Sequence, residues 1–304
     1  MDVQELDDPE WFLQEARPLL LADEARHNLL LGIADTLIRH PGLYDTYGLW
    51  LVRTGTGNGG DVVGAALRTP PQNLLVARPA TDGVIDALAR AIHGDAGRPG
   101  AALAAPAPGE ASAVPGVSGA APEARAFADI WASLTGASAS VHMELGVFEL
   151  TAVRPTPSAR GTHRVADASD RPLLLDWLRA FGHEAHAPNR RNDDGLEKML
   201  EARLAATSSN GFWLWTDGGV PVSLAGYWAP AGSGIRVGPV YTPPDRRGRG
   251  YATSLVAEMS AWLLAQEYRA CFLFTDLANP TSNAIYERIG YRRVCDALDI
   301  AFTS

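Results

Sequence analysis

Cysteine is scarce in this chain of 304 residues: there are two, Cys271 and Cys295. Two cysteines make no disulfide framework, and their spacing allows no CxxC zinc pair. A reduced, intracellular setting is the expectation. Lysine is scarcer still, with Lys198 as the single example, so the basic complement is almost entirely arginine. Basic excess is missing as well: 26 basic against 35 acidic side chains give −9. Residues 1–155 carry 10 and 19 of these, and residues 156–304 carry 16 and 16, so the whole acidic surplus lies in the first half. A nucleic-acid partner, which requires a basic face, is not expected. No apolar run approaches the ~18 residues of a membrane span. The opening MDVQELDDPEWF is acidic and lacks the basic–apolar–small order of a signal peptide. The expected location is cytoplasmic, with no membrane partner. GxxxxGK[ST], GxSxG and HExxH are also absent. His183 and His186 are three apart with no third ligand nearby, so no metal is expected.

What is present is globular material, with 46% hydrophobic and 20% charged residues. A chain of this length suggests two domains. Periodicity predicts helix over 9–39, ended by Pro41-Gly42, then strands at 49–53, 61–68 and 73–78 and a helix at 81–93 capped by Thr81 or Asp82. Residues 94–121, rich in Ala, Pro, Gly and Ser, read as a long surface loop with one short strand near 114–117. A helix at 122–134 and a strand at 140–153 follow. RPTPSARG, residues 154–161, reads as a linker. Beyond it, strands are expected at 162–168, 212–216, 222–228, 235–242, 270–276 and 294–302. Helices are expected at 171–181, 195–206, 249–266 and 282–289. The helix at 249–266 presents Ala252, Leu255, Val256, Met259 and Leu263 as its apolar face. Trp213, Trp215, Tyr227 and Trp228 fall on adjacent strands and read mostly as core. Both cysteines read as inert core residues.

The chemistry concentrates in residues 237–259, VGPVYTPPDRRGRGYATSLVAEM: strand, loop, helix. Gly248 and Gly250 lack Cβ, so the backbone can turn tightly and approach a ligand closely. The loop runs into a helix start, whose unpaired N–H groups and dipole form an anion site. Arg246, Arg247 and Arg249 add full charges, and a pyrophosphate suits this combination. The sole G-x-G-x-x-G, at 55–60, precedes the strand-like DVVGAALR rather than a helix and reads as a hairpin loop.

These residues resemble a known family. Arg247-x-x-Gly250-x-Ala252 is similar to the [QR]-x-x-G-x-[GA] loop of the GNAT superfamily of N-acetyltransferases. Asn279-Pro-Thr-Ser-Asn-Ala-Ile-Tyr286-Glu-Arg-Ile-Gly290-Tyr291 resembles that family's second signature, N-P-x-x-x-x-x-Y-x-x-x-G-[FY]. About 30 residues, holding one helix and one strand, separate the two. The resemblance implies acetyl-CoA as cosubstrate and direct transfer of its acetyl group to a primary amine of a small molecule or peptide. It implies that Arg247, Gly248, Arg249, Gly250, Tyr251 and Ala252 cradle the pyrophosphate. It also implies that the strand before the loop splays from its neighbour, with Gly238-Pro239 supplying the break. Val240 and Thr242 offer backbone bonds to the pantetheine, and the Val240 N–H is the candidate oxyanion donor. By the same resemblance Asn279 would hold the pantetheine or cap its helix, and Tyr286 would protonate the departing thiolate. Relatives often place a glutamate base on the strand before the loop. IRVGPVYT has none, which leaves a backbone-held water or Glu184, in the loop after the first helix of this half.

The fold class implied is α/β, two GNAT-like domains each with a twisted, mostly antiparallel sheet flanked by helices. Residues 162–304 are the catalytic domain. Residues 1–153 are a degenerate one: the place of its pyrophosphate loop reads RPATDGV, without the motif. The arrangement is similar to tandem members such as mycothiol synthase. The competing functions are an acyl-CoA-binding regulator without turnover and a tandem enzyme that, like mycothiol synthase, acts on a sugar- or thiol-linked amine.

Overall fold

The computed structural model describes residues 1–55, 59–95, 114–185, 193–204 and 207–303. The chain divides into two compact units, Met1–Gly146 with Cys295–Ser304, and Val147–Val294.

The first unit contains β1 (Asp2–Leu6), α1 (Pro9–Leu21), α2 (Glu24–Arg39), β2 (Gly48–Arg53), β3 (Val62–Arg68), β4 (Leu74–Val76), α3 (Val84–Asp95), β5 (Gly116–Ala120), α4 (Ala121–Thr135) and most of β6 (Ser138–Leu150). The single helix expected over 9–39 is two. The Asp8 carboxylate accepts from the backbone N–H of Glu10 at 2.9 Å and of Trp11 at 3.3 Å, and Pro9 occupies the first turn, so α1 starts sharply. The chain breaks at Ala22-Asp23, where Asp23 leaves helical geometry. Periodicity misses such a break because the apolar face resumes directly after it. Helix α3 begins at Val84, beyond the expected Thr81 or Asp82 cap, after Gly83 at φ 78°. Much of the expected 94–121 loop, residues 96–113, lies outside the described residues, as do 56–58 of the G-x-G-x-x-G segment. The short strand near 114–117 is β5, which begins at Gly116. A Cβ on Gly116 would fall 2.2 Å from the Ile300 carbonyl oxygen, so only glycine fits there. Trp131 stacks on Phe127 at 5.6 Å and on Phe302 at 6.1 Å in this unit's core.

His27 ties α2 to the strand that follows. It is buried, its Nδ1 is 2.9 Å from the Leu20 carbonyl, and its Nε2 accepts the Arg78 N–H at 2.9 Å. These partners require the neutral ring with its proton on Nδ1. Burial holds its pKa below the ordinary 6.5, opposed by the Leu20 carbonyl and by the Asp23 and Glu123 carboxylates. The folded state is therefore the weaker proton binder. Its contribution is complete above about pH 6.5 and is lost as the pH falls from there through the folded pKa. The urea midpoint should fall between pH 7 and pH 5, and His27→Gln should flatten that part of the curve. An identical slope in both proteins would exclude the assignment.

The second unit contains the end of β6, β7 (Thr162–Val165), α5 (Arg171–Glu184), α6 (Asp193–Leu204), β8 (Gly211–Asp217), β9 (Val220–Ala231), β10 (Gly234–Tyr241), α7 (Tyr251–Ala265), β11 (Ala270–Asp276), α8 (Pro280–Ile289) and the start of β12 (Arg292–Thr303). Its core packs α7 onto the sheet: Leu255, Val256, Met259 and Leu263 are fully buried with Ile235, Cys271 and Trp215. Trp213, Trp215 and Tyr227 are core residues as expected, whereas Trp228 is half-buried beneath the Arg203 guanidinium at 3.9 Å. Cys271 is buried, which pushes its thiol up to about 12, but Cys295 is only half-buried and is not a core residue.

Both units repeat one succession. In the first, β1 to β4 pair antiparallel in order, and β4 pairs β5 in parallel across α3. In the second, β7 to β10 pair antiparallel in order, and β10 pairs β11 in parallel across α7. This is a mixed α/β sheet with flanking helices in each case. The boundaries differ from those read in the sequence. From Cys295 onward the closing strand goes with the first unit, where β12 pairs β5 between Ala297↔Ala120 and Ala301↔Gly116. Residues 154–161 are irregular but bonded along the second unit. The Arg154 N–H donates to the Ile289 carbonyl at 2.7 Å, the Ala159 N–H to Ser254 Oγ at 2.7 Å, and Trp215 Nε1 to the Arg160 carbonyl at 2.9 Å.

Candidate active site

The site begins where two parallel strands part. β10 pairs with β11 through Gly234↔Ala270, Ile235↔Cys271 and Arg236↔Phe272, and the ladder stops there. β10 runs on to Tyr241 and β11 to Asp276. The register of β10 with β9 also shifts between Val237 and Val240, the stretch that holds Gly238 at φ 138° and Pro239. Gly226 on β9 allows this irregularity, since a Cβ there would sit 3.0 Å from the Gly238 carbonyl oxygen. After the shift Val240 is in register with Ala225. The Thr242 hydroxyl is 2.8 Å from Ser223 Oγ, which fixes the exit of β10.

The loop from this strand enters α7 through two glycines in the left-handed region, Gly248 at φ 76° and Gly250 at φ 80°. A Cβ on Gly248 would meet nothing within 4 Å, and one on Gly250 would meet only the Ala159 Cβ at 3.7 Å. Conformation, not space, demands glycine at both. Among the described residues no side chain caps α7. Its first turn therefore presents backbone N–H groups, and the positive end of the helix dipole, to whatever lies before it. Tyr251 anchors that turn by donating its hydroxyl to Asp217 Oδ2 at 2.6 Å, and Ser254, holding the Ala159 N–H, secures the next. Ala252 follows in the same turn.

The loop arginines fold back on the chain. Arg247 Nε donates to the Thr242 carbonyl at 2.8 Å, and its Nη2 meets Glu184 Oε2 in an ion pair. Arg246 Nε lies 3.0 Å from Asp245 Oδ2, and Arg249 Nη2 donates weakly to the Asp245 carbonyl at 3.4 Å. Glu184 is not in a loop: it is the last residue of α5, because that helix runs three residues past its expected end. Its other oxygen accepts the Tyr241 hydroxyl at 3.1 Å, and the Tyr241 ring lies 6.1 Å from that of Trp177. Burial and the Glu184 carboxylate both raise the Tyr241 phenol pKa. Tyr241, Trp177, Asp217 and Ser254 carried no motif that would have singled them out. His183 is in the last turn of α5, and His186 lies outside the described residues. No group of three or more His, Cys, Asp or Glu that could hold a metal occurs among the described residues.

The second signature forms α8. Asn279 is its N-cap, with Oδ1 accepting the Ser282 N–H at 3.1 Å, so of its two expected roles capping is the one observed. Gly290 ends the helix at φ 118°, where a Cβ would be 3.0 Å from the Ala152 carbonyl oxygen. The Tyr286 ring packs edge-on against Tyr291 at 5.9 Å. Its hydroxyl makes no hydrogen bond among the described residues, and burial pushes the phenol up to about 12.

Residues 173–291 match the family model for the acetyltransferase (GNAT) family. A comparison with curated proteins finds no match. Among solved structures, a GCN5-related N-acetyltransferase from Sphaerobacter thermophilus aligns at TM-score 0.60 and 16% identity, covering 99% of this chain and 95% of its own. A tandem GNAT protein from the clavulanic acid biosynthesis pathway aligns at 0.57 and 16%, covering 99% and 98%. An acetyltransferase of the GNAT family from Colwellia psychrerythraea aligns at 0.54 and 10%, covering 99% of each chain. The chain has the GNAT fold. No helix among the described residues is long and apolar enough to cross a membrane.

Proposed function

We propose that this protein is an acetyl-CoA-dependent N-acetyltransferase whose single working site lies in the second unit, with a primary amine of a small molecule or peptide as acceptor. One observation carries the reading: β10 and β11 part beside the uncapped first turn of α7, which the chain enters through Gly248 and Gly250. The available donors fit the proposed ligand. Backbone N–H groups from Gly248 to Ala252 suit a pyrophosphate, and the edge of β10 freed beyond Arg236 suits an amide-bearing arm. Bound acetyl-CoA would supply an activated thioester.

The chain's own contributions follow. Arg247 and Arg249 bring positive charge to the loop, and Tyr251 holds the first turn of α7 through Asp217. The Val240 N–H is the proposed donor to the thioester oxygen. Tyr286 keeps its proton on Oη at all working pH values and so serves as a hydrogen-bond donor to a departing thiolate. Glu184, paired with Arg247 and Tyr241, is poorly disposed to take a proton from the amine. A water held by backbone carbonyls is the proposed route for that proton. The first unit repeats the strand succession but has RPATDGV where a loop of this kind would stand. We assign it as a diverged domain that takes no cosubstrate.

Titration of the intact protein with acetyl-CoA in a calorimeter tests this reading. One site per chain is the expected result. Two sites would overturn the assignment of the first unit, and no binding would overturn the function.

A further inference from the structure

Glu184 stands where local physics disfavours it. A carboxylate at the last residue of a helix faces the negative end of its dipole. Here that end belongs to α5, and the carboxylate is directed at the cosubstrate loop, where it pairs with Arg247 and accepts from Tyr241. Both members of the ion pair are about half exposed, at 48% and 42%. Such a pair contributes little and exchanges readily.

On the reading of 247–252 as a pyrophosphate loop, we infer that Glu184 is an exchangeable ligand that couples cosubstrate to acceptor. Without cosubstrate its carboxylate occupies the Arg247 guanidinium. A bound pyrophosphate takes the guanidinium instead. The released carboxylate stays beside the hydroxyl of Tyr241, whose ring lies 6.1 Å from that of Trp177, so an ammonium group finds a charge partner there and an aromatic face nearby. The acceptor class is therefore a cationic amine. By reciprocity, an ammonium ion that takes Glu184 frees Arg247 and strengthens cosubstrate binding.

The experiment measures acetyl-CoA affinity by calorimetry for the native protein, Glu184→Gln, Arg247→Ala and the double variant. Glu184→Gln removes a competitor, so it should bind acetyl-CoA about two- to fivefold more tightly, the range an exposed ion pair is worth. That gain should vanish in the Arg247→Ala background. Butylammonium chloride, against sodium chloride of equal ionic strength, should tighten acetyl-CoA binding to the native protein and leave Glu184→Gln unchanged. The response of the native protein needs no variant to fold. Unchanged or weaker binding by Glu184→Gln, a gain that survives in Arg247→Ala, or no response to butylammonium overturns the inference while leaving the proposed function intact. Failure of the native protein to bind acetyl-CoA would overturn both.

Discussion

Gly250→Glu should abolish acetyl-CoA binding while leaving the protein folded. Gly250 sits at φ 80° immediately before α7. Any side chain there costs about 1–2 kcal/mol of left-handed strain. A carboxylate at a helix N-terminus, however, complements the dipole and returns part of that cost. Its effect on a bound pyrophosphate is the opposite. A like charge at ~5 Å in an effective dielectric of ~20 costs roughly 3 kcal/mol. That is more than a hundredfold in affinity. Gly250→Ala carries the strain without the charge and should bind with only a severalfold loss. Calorimetric titration with acetyl-CoA, together with melting curves for both variants, checks the pair. Retained binding in Gly250→Glu would place the cosubstrate elsewhere.

Tyr286→Phe should lower kcat by roughly 10²- to 10³-fold, within the range of a single acid–base group. Acetyl-CoA affinity should stay within about twofold. Burial of the Tyr286 ring pushes its phenol up to about 12. An ordinary thiol lies near ~8.5, so full proton transfer from Tyr286 to a thiolate is uphill. The expected role is therefore hydrogen-bond donation, with the proton retained on Oη. Sign and window follow. A group titrating near 12 adds no basic limb below about pH 10, so the pH profile of kcat/KM should keep its shape in Tyr286→Phe and simply drop. A protein that only binds acyl-CoA would have no turnover to lose. Steady-state CoA release over pH 6–10, alongside direct binding, separates the two.

Much of the second unit was legible in the sequence. Arg247, Gly250 and Ala252 sit at fixed spacing across the passage from a strand into a helix, and the helical spacing of Leu255, Val256, Met259 and Leu263 declares the buried face of that helix. Glycine at φ > 0 and proline at a helix start are requirements of local backbone, so they leave a mark in local sequence. Capping by Asn279, one of the two roles read for it, was legible for the same reason, since a cap acts within three residues. Glu184 was legible only as a candidate base in a loop, not as the end of α5 paired with Arg247. Its helix runs further than periodicity indicates, and its partners Tyr241 and Arg247 are 57 and 63 residues away.

By itself the sequence determined most helices and strands, though not β1 or the break between α1 and α2, together with the glycine turn into α7, the two signatures, and the acidic imbalance of the first half. Each follows from spacing, backbone geometry or charge counts within a short window. Tertiary structure alone decided the rest: the parting of β10 from β11 at Arg236, the binding of residues 154–161 along the second unit, the transfer of Cys295–Ser304 to the first, and the hold of Glu184 on Arg247. These depend on which distant segments pair once the apolar faces are buried. Strand pairing and ion pairing between distant positions obey no periodicity that a single chain displays.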